Sequence, residues 1–137
     1  MGKYKKSVIP HIRILERVNL KDYIRKTYSE KIQGKTVVNK HIGLTIYFGS
    51  DGKSELSSGR AIYAKKAALV QCLPELLINA EYNNFGQRKE KDAKNVFGYA
   101  NFKAKVFIDD KLEHVRITVK VKANGKGYYC HEVNIKK

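Results

Sequence analysis

The stretch NFKAKVFIDDKLEHVRITVKVKANGKGYYCHEVNI, residues 101–135, decides the architecture. Phe102, Ala104, Val106 and Ile108 alternate with Lys103, Lys105 and Phe107. Val115, Ile117, Val119 and Val121 alternate with His114, Arg116, Thr118, Lys120 and Lys122. A period of two is the pleat of a β-strand, so each run presents one apolar and one polar face. Asn124-Gly125 is a strong hairpin signal, and Tyr128 to Ile135 reads as the strand that follows it. The stretch therefore predicts a closing three-strand meander, apolar on one side and cationic on the other.

The apolar side needs a partner layer, and the upstream sequence supplies helices. Asn19 suits an N-cap, Leu20, Ile24, Tyr28 and Ile32 recur every four residues, and Gly34 suits a stop, which predicts a helix over 20–33. Val37-Val38 and Leu44 to Phe48 predict a hairpin turning at 39–43, followed by a flexible loop at Gly49 to Lys53. A second helix is expected from about Arg60, with Ile62, Leu69, Leu73, Leu76 and Ala80 as its stripe. Pro74 either kinks that helix or opens a new segment. The stretch NNFGQRKEKDAKN, 83–95, reads as a polar loop. Helix, strands, helix and meander together predict an α+β fold, a helical part on a twisted antiparallel sheet. Residues 1–18 form a basic lead-in, with Pro10 suited to an edge strand, and residues 19–137 form one domain.

Charge narrows the function. Lys and Arg number 28 against 13 Asp and Glu, a formal net charge of +15. Such an excess repels itself, and a polyanion is the partner that relieves it. No apolar run approaches the ~18 residues of a membrane-spanning helix, and the N-terminus lacks a signal-peptide core. Cys72 and Cys130 lie far apart, and the four histidines lack ligand spacing. The expectation is a reducing cytoplasm, with no disulfide framework, metal or cofactor.

The polar sheet face carries Lys103, Lys105, Arg116, Thr118 and Lys120, with Glu132 and Asn134 on the last strand. Cations beside a proton acceptor are the parts of a cradle for a phosphodiester. Lys66 lies inside the helical apolar stripe, either snorkelling to solvent or aimed between helix and sheet. Strict alternation buries His131, whereas a bulge turns it outward to a cleft edge beside Tyr129.

In order along the chain, VVNKHIGLTIYFGSDGK, AKKAALVQCLPELLINAEY and VRITVKVKANGKGYYCHEVNI resemble a phage-associated family. It is the large polyvalent protein-associated group, related to the barnase, EndoU, colicin and RelE-like nucleases. The likeness covers residues 34–137. Asn39-Lys40 and Gly43 fall on its hairpin, Leu73, Leu76 and Ala80 on its helix, and Thr118 with Tyr129 to Glu132 on its closing strands. Lys65-Lys66 stands where such sequences commonly have a histidine, so the acid–base role would pass to Lys66 or His131.

The resemblance implies a barnase- or RelE-like sheet. It also implies a metal-independent, toxin-type ribonuclease directed at tRNA or other RNA, for which an acidic immunity protein or antitoxin would be a second partner. The residues expected at the reaction are Lys66, Arg116, Thr118, His131 and Glu132. Those expected to hold the RNA strand are Lys40, Lys53, Arg60, Lys103, Lys105, Lys120 and Tyr129. The alternatives are a non-catalytic nucleic-acid-binding module and a protein-interaction domain.

Overall fold

The structure is a computed structural model. It describes residues 9–15, 19–57, 64–92 and 94–129, and the backbone of 133–136. The fold is α+β. In chain order the elements are β1 (His11–Ile12), α1 (Leu20–Lys31), β2 (Thr36–Val38), β3 (Thr45–Phe48), α2 (Ser50–Leu56), α3 (Ala64–Ala68), a 3-10 turn (Leu69–Gln71), α4 (Leu73–Asn79), β4 (Glu81–Gln87), β5 (Val96–Ile108), β6 (Lys111–Lys122), β7 (Gly127–Tyr129) and β8 (Val133–Lys136).

The spine is the long antiparallel hairpin of β5 and β6, which turns at Asp109-Asp110. Each long strand carries two short ones on its outer edge. β4 and β1 line β5, and β7 and β8 line β6. Beyond β7 come β3 and then β2. Most pairings are antiparallel, but β1 with β5 and β3 with β7 are parallel. The expected third meander strand is thus two strands, β7 paired at Lys120 and Val121, and β8 paired from His114 to Ile117. The short β1 draws part of the basic lead-in onto the sheet edge.

The helices cover one face. Ala100, Phe102, Val106 and Ile108 of β5 and Val115, Ile117 and Val119 of β6 are buried with Ile24, Tyr28, Leu69, Leu73, Leu76 and Leu77. Burying the Val, Leu, Ile and Phe side chains among them stabilises by ~1.5–3 kcal/mol apiece, which is what binds the helical layer to the sheet. In α1 the Asn19 side chain accepts from the Asp22 N–H at 3.0 Å, and Ile24 and Tyr28 form the buried stripe. Pro74 sits in the first turn of α4, directly after Leu73, so it opens a new segment after the 3-10 turn.

Two expectations fail. Residues 50–56 form helix α2, because a flush contact replaces the freedom expected of a glycine-rich loop. A Cβ on Gly52 would lie 2.5 Å from the Tyr129 ring, the Tyr129 carbonyl and the Tyr28 hydroxyl. Only glycine lets α2 sit this close to β7. Residues 83–87 are not loop but part of β4, held by pairing to β5 and by the Asn101 Nδ2 to Asn84 Oδ1 bond of 2.8 Å.

Candidate nucleic-acid interface on the open sheet face

Directly paired residues in neighbouring strands share a face, so register sorts the solvent side into rows. One row runs Glu81 of β4, Lys103 of β5, Arg116 of β6 and the Asn134 position of β8. The next pairs Lys105 with His114. On the other side Asn101 pairs with Thr118, and Tyr99 with Lys120, followed by Tyr128 of β7 and Tyr47 of β3.

The first two rows line a depression of about 590 Å³, with Glu81, Lys103, Lys105, His114 and Arg116 around a floor at Ala104 and Val115. Among the described residues, none of these cations closes an ion pair with a carboxylate. Lys103 and Arg116 stand directly opposite each other, an arrangement that costs stability in an antiparallel pair. A carboxylate, an imidazole and three cations thus meet on a solvated surface. That set can accept a proton, donate one and neutralise a phosphate.

The adjoining polar row is internally bonded. Thr118 Oγ1 donates to Asn101 Oδ1 at 2.7 Å, which orients both side chains. Beyond it the Tyr99 hydroxyl donates to Asp92 Oδ2 at 2.7 Å, pinning the 88–92 turn to the sheet. The Lys89 N–H and the Tyr99 hydroxyl together hold the Asp92 carboxyl below the usual range.

The expected site residues divide sharply. Lys103, Lys105, Arg116, Thr118 and Lys120 share the open face. Lys66 does not join them. It is only 4% exposed, on α3, within the helical layer covering the opposite face. Its neighbour Lys65 also faces the helical side, Lys65 Nζ reaching the buried Glu113 Oε2 at 2.5 Å on the core side of β6. Tyr129 is 1% exposed and packs against Phe48 and Tyr28, so its ring is core; the parity of β7 turns Tyr128 outward instead. Lys53 lies on α2, bonded to Ser29 at 3.1 Å, and Lys40 lies in the β2–β3 turn. Arg60, His131 and Glu132 lie outside the described residues.

Glu81 and His114 are members of the depression that sequence reading passed over. His114 shares the parity of Arg116, so alternation alone could have selected it. Glu81 needed β4, which carries no alternating pattern. His41, by contrast, has a structural task, its Nδ1 accepting from the Tyr82 N–H at 2.7 Å. Among the described residues no group of three or more His, Cys, Asp or Glu side chains is placed to hold a metal ion. None of the described helices is long and apolar enough to cross a membrane.

No curated protein matches the chain, and no solved structure matches it. The family model of large polyvalent protein-associated domain 3 matches residues 16–129. That span holds Glu81 on one rim of the depression and His114 and Arg116 on the other, together with the β5–β6 spine beneath them. The chain belongs to the large polyvalent protein-associated domain 3 family.

Proposed function

We propose that this domain is a metal-independent endoribonuclease of the barnase and RelE-like kind, with its reacting centre in the depression on the open sheet face. The observation that carries the reading is the convergence of Glu81 and His114 with Lys103 and Arg116 in one solvated hollow. RNA supplies its own nucleophile. A carboxylate such as Glu81 takes the 2′-hydroxyl proton as O2′ bonds to phosphorus. Lys103 and Arg116 neutralise the phosphorane charge. The imidazolium of His114 gives its proton to the departing 5′-oxygen as the P–O5′ bond breaks. The products are a 2′,3′-cyclic phosphate and a 5′-hydroxyl. Each positioned acid or base contributes ~10²–10⁴-fold.

The test is single-turnover cleavage of end-labelled RNA with analysis of the new ends. Glu81→Gln and His114→Ala are each expected to lower the rate by about 10² or more while RNA affinity stays nearly unchanged. His131→Ala and Glu132→Gln run beside them, because the family resemblance points to those positions. Unchanged cleavage by well-folded Glu81→Gln and His114→Ala removes this hollow from the mechanism.

Among the described residues lining the depression, three cations, Lys103, Lys105 and Arg116, face one carboxylate, Glu81, and that excess favours a second reading, a binding module without chemistry. RNA binding whose log K falls with log salt at a slope of about −2 to −4, with no cleavage, selects that reading.

A further inference from the structure

Tyr47 and Tyr128 stand side by side at the far end of the same face, four residues along β6 from the depression. Their rings meet edge to face, with centroids 6.0 Å apart and planes at 74°. Tyr47 is 39% exposed, a large amount for an aromatic side chain in the middle of a sheet row. The pair forms a ridge with a shallow basin on either side. One basin, about 260 Å³, is bordered by Lys120 and Lys122, and the other, about 290 Å³, by Lys126 with Thr36 and Thr45. Lys122 Nζ lies 4.4 Å from the centre of the Tyr128 ring, and Asn124 Nδ2 donates to the Tyr128 hydroxyl at 2.8 Å. Tyr128 is therefore held in place by its neighbours, while Tyr47 stays exposed.

We propose that the Tyr47–Tyr128 ridge is a nucleobase-stacking subsite for single-stranded RNA whose backbone runs along β6 from the depression. The inference rests on the RNA reading above and adds to it where the strand goes and which form is bound. Four residues of strand span ~13 Å, a length that a few nucleotides cover. The cations at Arg116, Lys120, Lys122 and Lys126 mark the backbone's path, and the ring between them offers a π-face. Stacking needs an unpaired base, since a duplex hides both faces of every base. An apolar protein partner would call for aliphatic neighbours, and the ridge is bordered by three lysines, two threonines, Ser50 and one carboxylate, Asp51, instead.

The experiment measures binding by fluorescence anisotropy with three probes. They are a 2′-O-methyl octaadenylate, which 2′-hydroxyl attack cannot cleave, a base-free sugar-phosphate octamer of equal charge, and a perfectly paired duplex of the octamer. The intact chain is expected to prefer the single strand over the base-free octamer by about 5-fold or more. Tyr47→Ala should erase that preference, while Tyr47→Phe keeps it. Thermal melting of both variants confirms folding, and Tyr128→Ala repeats the measurement on the second ring. Binding to none of the probes overturns the RNA reading and the subsite together. Equal binding to single strand and base-free octamer leaves the polyanion reading standing and overturns the subsite. So does a Tyr47→Ala variant that keeps its preference, one that loses affinity for both probes alike, or a duplex bound as tightly as the single strand.

Discussion

Replacing Arg116 by glutamine should make the protein more stable and a worse RNA binder at once. Arg116 faces Lys103 directly across β5 and β6, and the nearest carboxylate in that row, Glu81, lies beyond Lys103. Like charges placed opposite in a sheet cost roughly 0.2–1 kcal/mol, and glutamine removes the charge while keeping part of the stem. At ~2.1 cal/mol/K per residue, unfolding entropy for this chain is about 0.29 kcal/mol/K, so ~0.2–1 kcal/mol raises the melting temperature by about 1–3 °C. The gain should shrink in 1 M salt, where the Debye length is ~3 Å and the native repulsion is already screened. Losing one phosphate contact should lower the salt slope of single-strand RNA binding by ~0.7. Differential scanning fluorimetry at low and high salt, beside an RNA salt titration, measures all three. A melting temperature lowered by more than about 2 °C, or a gain that salt leaves untouched, would refute the reasoning and make Arg116 a structural residue.

Gly52→Ala should cost about 1–3 kcal/mol in denaturant melts, because its Cβ meets Tyr129 and Tyr28 at 2.5 Å and neither backbone nor packed rings yield cheaply. Glu113→Gln should destabilise by roughly 1–3 kcal/mol, below the usual cost of breaking a buried pair because Lys65 is partly exposed; an unchanged melting temperature would show that the pair contributes nothing. Burial, with a smaller contribution from Glu75, pushes the Cys72 thiol up to about 12. In a Cys130→Ser background, alkylation at pH 8 should therefore wait on unfolding, and rapid labelling of native protein would contradict the burial. The same raised thiol contributes stability that is intact below about pH 9 and lost as pH rises towards 12, since the unfolded chain ionises first; Cys72→Ala should flatten that part of the alkaline stability curve.

Legibility in the sequence followed locality. Helix α1 carries its own cap at Asn19 and its own stripe, so nothing beyond its residues was needed to find it. The spine strands alternate plainly, and that alternation also put Lys103, Lys105, Arg116, Thr118 and Lys120 on one face. What escaped depended on contacts between distant segments. Asn83, Asn84 and Gly86 have no strand pattern of their own, and β4 exists because β5 offers an edge. Glu81 was hidden for that reason. Gly52 looks like a loop residue until the ring of Tyr129 is seen against it. Lys66 lay inside the apolar helical stripe and Tyr129 on the apolar parity of its strand, so periodicity favoured burial of both, and the functional roles expected of them ran against it.

The turn at Asp109-Asp110 bears on how the molecule assembles in time. Both residues have positive φ, 50° and 67°, the backbone that a two-residue hairpin of type I′ requires. The strands it joins are adjacent in the chain, so the spine closes with little loop entropy and suits an early folding nucleus. The parallel pairing of β3 with β7 joins residues 46–48 to residues 127–129, a separation that makes it a late event. In refolding, the Lys103–Arg116 row should therefore form first and the Tyr47–Tyr128 ridge afterwards. Two halves of the proposed binding face would then be completed in separate kinetic steps, with charge in place before the aromatic surface.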